Sequence, residues 1–275
     1  MAACHAGTKG RDRRPRGRGV WVIWRSQQSA LISAMAFLQS DPPRQPIFQA
    51  PAVVLWLIGA LAAAHGARSL LSETRSQDIV FEYGLVPARY SRAFLESHMY
   101  DPGTLWERAL PFVSYMALHG DITHLVINCL FLFAFGPIVA RRFGGALFLL
   151  FFVLCGVASA AFYLAFNWGS DVPVVGASGA IAGLTAAAIR MLPGRIAPWM
   201  VGANEVPLQP LLSRPILVFS GVFIAINMVA ALINLGPGSG PIAWQAHLGG
   251  YAAGLLLSGI FDLLRPRRVG IPLEN

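Results

Sequence analysis

Ser178, His119, His124, His247 and Asn128 stand at the openings of three long apolar runs of this sequence, where polar side chains are costly and mark function. His119-Gly-Asp-Ile-Thr-His124-Leu-Val-Ile-Asn128 opens one run. Gly176-Ala-Ser178-Gly179-Ala-Ile-Ala-Gly183 opens a second, and Ala246-His247-Leu-Gly-Gly250-Tyr-Ala-Ala-Gly254 a third. A serine hydroxyl is a weak nucleophile until a neighbouring base takes its proton. A neutral imidazole suits that task, which makes Ser178 and His247 a candidate nucleophile and base. No Asp or Glu shares the polar end of a run: Asp121 and Asp171 lie in or near loops, and Asp262 lies at the opposite end. The chemistry read here is a Ser-His dyad rather than a triad. His124 and Asn128, four residues apart, share a helix face. They are candidate donors to a developing oxyanion, with the Ser178 N–H as a further donor. His119 leaves that face and is read as positioning the helix end or a water.

The elements that carry these residues follow from composition. The chain has 275 residues, 55% hydrophobic and 12% charged, with mean hydropathy +0.57. That charged fraction is about half of what a soluble domain carries, which excludes a soluble enzyme and a disordered chain. Cys4, Cys129 and Cys155 are too few and scattered for a disulfide framework or a zinc site. Uncharged runs of roughly 20 residues, the length that crosses a bilayer, read as six spans: 45–67, 122–140, 144–170, 172–189, 215–235 and 242–261. The fold class is all-α, a polytopic six-helix membrane bundle over residues 47–264. A basic segment (1–46) precedes it, a tail (265–275) follows, and a long loop (about 68–118) joins spans one and two. That loop, with Pro87, Pro102, Pro111, Tyr90 and Trp106, is too long to be a mere connection.

Arginines mark the inner side: the N-terminal segment, Arg141 and Arg142, Arg190, Arg195 and Arg214, and Arg265, Arg267 and Arg268. Both termini are expected in the cytoplasm, and the three polar sets then sit near the outer ends of spans two, four and six. Counted back from the inner arginines at 1.5 Å per residue, Asn128, Ser178 and His247 stand about 20, 18 and 27 Å up, so His247 is expected somewhat higher unless its helix tilts or its inner end extends past the membrane. Gly179 and Gly183 on span four, and Gly250 and Gly254 on span six, form small faces that let helices approach. Docked through them, Ser178 comes within reach of His247. Asn227 and Asn234 in span five read as interhelical hydrogen-bonders. His65 and His98 read as solvated or interfacial. The run RDRRPRGRG is read as a lipid-attracted tail rather than a nucleic-acid site. It also resembles an organelle-targeting segment, with Met35 as a candidate start.

These motifs, in this order and on these spans, resemble the rhomboid family of intramembrane serine proteases. The match is His119-x4-His124-x3-Asn128, Gly176-x-Ser178-Gly179 and His247-x2-Gly250-x3-Gly254. The resemblance implies Ser178 as nucleophile and His247 as general base. It implies His124, Asn128 and the Ser178 N–H as the oxyanion site, with His119 in support. It also implies transmembrane protein substrates that enter laterally, commonly beside span five, and no metal and no cofactor. Three positions depart from the family pattern. Many members carry an aromatic residue four after the nucleophile, where this chain has Ala182. The Trp-Arg of the outer loop is replaced by Leu110-Pro111, and a glutamate near the inner end of span two by Ala140. The competing reading is a non-catalytic rhomboid-like scaffold that binds transmembrane clients. Retention of Ser178 and His247 argues against it. A bacterial inner membrane is the default location and a mitochondrial inner membrane the alternative, while oligomeric state is left open.

Overall fold

The computed structural model describes residues 50–98, 101, 103–192, 206–233 and 243–265. The basic segment with Met35, Asn234 and the C-terminal tail beyond Arg265 lie outside the described residues. Contacts divide the chain into residues 1–49 and 50–275, and all described residues belong to the second unit.

Among the described residues, six helices build the bundle: α1 (Ala52–Ser69), α2 (Ile122–Phe143), α3 (Gly145–Phe166), α4 (Ser178–Met191), α5 (Arg214–Ile233) and α6 (Trp244–Leu264). Among the described residues no strand forms, only an isolated bridge between Leu85 and Val174. Five of the helices, α1, α2, α3, α5 and α6, are long and apolar enough to cross a membrane. The fourth is shorter than the apolar run 172–189 suggests. Its 14 residues reach about 21 Å, short of the roughly 30 Å hydrocarbon core. The reason is local. Pro173 and Gly176, the latter at φ 118°, stand just before the helix, and the segment leading into it is tied elsewhere. A short helix is tolerated here because every residue from Gly179 to Met191 is buried by protein. It packs mainly on α6, and also on α2 and α3.

The segment between α1 and α2 is folded. It carries short helices at Glu73–Tyr83, Arg92–Ser97, Leu105–Ala109 and Pro111–Ser114, and 3-10 turns at Pro87–Tyr90 and Tyr115–Ala117. Thr104 and Glu107 form a reciprocal capping box, and the Thr104 N–H and hydroxyl hold the Glu107 carboxyl below its usual range. This segment grips the approach to α4. Leu85 and Val174 exchange backbone hydrogen bonds of 3.0 and 2.8 Å, Ala88 N–H donates to the Ser170 carbonyl at 2.8 Å, and Gly176 N–H donates to the Tyr115 carbonyl at 2.9 Å. The Tyr115 hydroxyl donates to the Gly156 carbonyl of α3 at 2.8 Å. The long loop is thus the clamp that sets where α4 begins.

At the other end, Phe143, Phe151 and Phe261 pack ring against ring and close α2, α3 and α6 together. Beside them Arg142 Nε meets Asp262 at 2.7 Å with the arginine side chain 4% exposed, and Arg142 Nη1 donates to the Val206 carbonyl. Removing one partner of a buried pair strands the other charge. Asp262→Ala is expected to cost about 3 kcal/mol, read as a lower midpoint in thermal denaturation of the detergent-solubilised protein.

Candidate active site

α4 starts at Ser178, after an Ala177 that provides no side-chain cap. The N–H groups of a helix's first turn have no acceptor within the helix, and the positive end of its dipole favours negative charge there. Gly176, two residues upstream, permits this entry on two counts. Its φ of 118° is costly for any other residue, and a Cβ would lie 2.6 Å from His124 Cε1, 2.7 Å from His124 Nε2 and 3.6 Å from Asn128 Nδ2. The side chains of His124 and Asn128 therefore lie directly against the backbone that delivers Ser178.

Three helices converge through small residues. A Cβ on Gly250 would sit 1.9 Å from the Gly179 carbonyl oxygen, one on Gly254 2.2 Å from the Gly183 carbonyl oxygen, and one on Gly183 2.5 Å from Cys155 Sγ. Gly179 abuts the Ser159 hydroxyl, which donates to the Ala246 carbonyl at 2.7 Å. Backbone-to-backbone approach of α4 and α6 brings His247 Nε2 to 2.8 Å from Ser178 Oγ. Both residues are half-buried.

The two side chains meet, so the exception allowed for α6 applies and His247 stands no higher than Ser178. The arginines used as a datum do not share a plane. Arg190 Nη1 donates to the Leu255 carbonyl at 2.6 Å and to Ser258 Oγ at 2.9 Å, well before the end of α6. The other imidazole nitrogen, His247 Nδ1, lies 2.7 Å from Asn227 Oδ1, and Asn227 Nδ2 donates to the Phe223 carbonyl at 2.8 Å. Asn227 is thus an interhelical hydrogen-bonder as expected, and its partner, which the sequence does not name, is the candidate base. The available signal was a lone amide in an apolar span. Among the described residues, neither hydrogen-bond partner of His247 is a carboxylate.

Around the pair, Asp121 caps α2 by accepting from His124 N–H at 2.9 Å, and that bond holds its carboxyl below the usual range. His119 precedes α2 and is fully buried, with its ring edge-on to His124 at 5.2 Å. Burial, reinforced by the neighbouring His124, pushes its pKa down to about 4, so it is neutral at pH 7. Arg68 of α1 donates to the His119 carbonyl and to Ser76 Oγ, fixing the strap before α2. His65, expected to be interfacial, is half-buried with its Nδ1 shielded. His98 is exposed and stacks on Phe94. Asn128 is 3% exposed, and its Nδ2 has no acceptor among the described residues. Among those residues no three His, Cys, Asp or Glu side chains gather as a metal site.

A family model described as Rhomboid domain matches residues 102–262, more than half of the chain. RHOMBOID-like protein 4 of Arabidopsis thaliana is 32% identical over 162 residues, covering 58% of this chain and 35% of that protein. RHOMBOID-like protein 1 of the same plant is 31% identical over 151 residues, 54% of this chain and 33% of that protein. Rhomboid protease AarA of Providencia stuartii is 30% identical over 169 residues, 57% of each. The alignments thus span about a third of the plant relatives' length and somewhat over half of the bacterial one's.

Proposed function

The chain belongs to the rhomboid family and is an integral membrane protein; on that premise we propose that it is an intramembrane serine endopeptidase. The observation that carries this reading is the 2.8 Å contact between Ser178 Oγ and His247 Nε2, a nucleophile and a base within hydrogen-bond reach. In this mechanism Nε2 takes the hydroxyl proton as Oγ attacks a substrate carbonyl carbon. The tetrahedral oxyanion forms, and collapse breaks the C–N bond while Nε2 returns the proton to the leaving nitrogen. Water then attacks the acyl-serine ester, giving its proton to Nε2, and the ester C–O bond breaks as Nε2 reprotonates Ser178.

Three donors suit the oxyanion. The Ser178 N–H opens α4, and Asn128 and His124 lie against Gly176. A buried Asn128 Nδ2 without an acceptor is costly in the resting protein, and a charge that forms only in the transition state would satisfy it. Asn128→Ala is expected to lower kcat by about 10²–10³-fold with KM little changed, read from cleavage kinetics on a folded variant. The neutral, buried His119 supports the ring of His124. The substrates of this reading are transmembrane segments of other proteins. The polar end of the bundle faces away from the cytoplasm, both termini lie within it, and a bacterial inner membrane is the location.

The test is reconstitution of the full chain in liposomes with a fluorescently labelled transmembrane substrate, comparing wild type with Ser178→Ala. Cleavage by the wild type alone supports the reading. Cleavage that survives Ser178→Ala overturns the nucleophile assignment, and binding of the substrate without cleavage by the wild type would make the chain a scaffold.

A further inference from the structure

We propose that Asn227 on α5 is the positioning residue that sets the tautomer and ring orientation of His247. The proposal rests on the reading of Ser178 and His247 as nucleophile and base, and it adds a third member to that site. The argument is one of donors and acceptors. Asn227 Nδ2 faces the Phe223 carbonyl at 2.8 Å. A carbonyl only accepts, so the amide cannot be flipped without placing two oxygens together. Its Oδ1 then faces His247 Nδ1 at 2.7 Å, and an amide oxygen also only accepts. Nδ1 must carry the proton. Nε2 is left with its lone pair, 2.8 Å from Ser178 Oγ, which is the tautomer a general base requires. In the opposite tautomer two lone pairs would meet at Nδ1, and Nε2–H would point at the hydroxyl it must deprotonate. When Nε2 takes the Ser178 proton, the Nδ1 proton stays in place and Oδ1 still accepts from the imidazolium.

Nothing on α4 supplies the same constraint from one turn past Ser178. Ala182 offers a methyl, buried with Ile216 and Tyr251. Asn227 is also well placed to be held. It and Ile216 are the buried residues of α5, whose other large apolar side chains are mostly exposed. Further ties of α5 to α6 run along the same helix: Phe223 stacked on Tyr251 at 4.2 Å, Ser220 Oγ at 3.1 Å from the Tyr251 hydroxyl, and Ile216 packed in the cluster of Tyr251. The base is thereby oriented from a lightly packed helix, and outward displacement of α5 would release it.

The test uses the full chain in liposomes, labelled with ¹⁵N-histidine. The His247 signal is assigned by its loss in His247→Gln. Wild type is expected to show Nδ1 protonated and Nε2 bare. Asn227→Leu, of similar size with no acceptor, should lose that preference and lower kcat by about 10–100-fold with KM within about twofold. Asn227→Asp, which keeps an acceptor, should restore the tautomer and bring kcat to within about tenfold of wild type. The proposal falls if wild-type His247 carries its proton on Nε2, or if Asn227→Leu cleaves like wild type. It falls too if the Leu and Asp variants lose activity equally with the tautomer unchanged, the mark of a merely structural residue. Should Asn227→Leu not fold, the wild-type and Asp spectra decide. A wild type that cleaves no substrate sinks the protease reading while the tautomer assignment still stands or falls by the spectra. Cleavage that requires Ser178 but not Asn227 sinks this proposal alone.

Discussion

Ser178→Ala and His247→Ala are each expected to lower substrate cleavage by about 10⁶-fold, to the background of the assay, and the double variant is expected to lose no more than either single one. The expectation follows from the geometry of the pair. Oγ and Nε2 are in direct contact and, in the proposed mechanism, act in one step, so removing the base leaves an unactivated hydroxyl, and removing the hydroxyl leaves a base with nothing to deprotonate. Effects of groups that act as a unit do not add. A fluorophosphonate probe gives a second reading on the same variants, with labelling of wild type, none of Ser178→Ala and slow labelling of His247→Ala. Losses that multiply in the double variant would mean the two residues work independently and would remove the dyad.

The second large effect concerns a single methyl group. Gly250→Ala is expected to destabilise the protein by about 3 kcal/mol and to lower kcat/KM by at least about 10²-fold. Its Cβ would sit 1.9 Å from the Gly179 carbonyl oxygen, and a backbone oxygen cannot rotate aside as a side chain can. α4 and α6 must part by more than about 1 Å, since close-packed interiors give little. Gly250 lies three residues after His247 and Gly179 directly after Ser178, so the displacement falls on the reacting pair. Gly221→Ala on α5 adds the same methyl where nothing lies within 4 Å. It should change stability by less than about 0.5 kcal/mol. Thermal inactivation and cleavage assays on the two variants separate the cases. Equal behaviour would show that the α4–α6 contact does not hold the site.

Gly179, Gly183, Gly250 and Gly254 were legible as small residues at helical spacing, because close helix approach leaves that signature in composition, whereas Gly176, grouped with them as a helix-packing glycine, stands before α4 at φ 118° and serves the turn into it. Asn227 was legible as an interhelical hydrogen-bonder, but not its partner. Its partner lies 20 residues away on another helix, and no local spacing encodes that contact.

Hydropathy and charge by themselves determined that this chain lives in a bilayer as an all-α bundle, since burial in lipid demands uncharged helical runs whatever their partners. Residue type and order picked out Ser178, His247, His124 and Asn128, because polar groups in such runs are too costly to be incidental. Tertiary structure alone decided where α4 begins, the common level of Ser178 and His247, and the acceptor at His247 Nδ1. Each of these depends on backbone hydrogen bonds or helix offsets between segments far apart in the chain, and a linear pattern holds no record of such offsets.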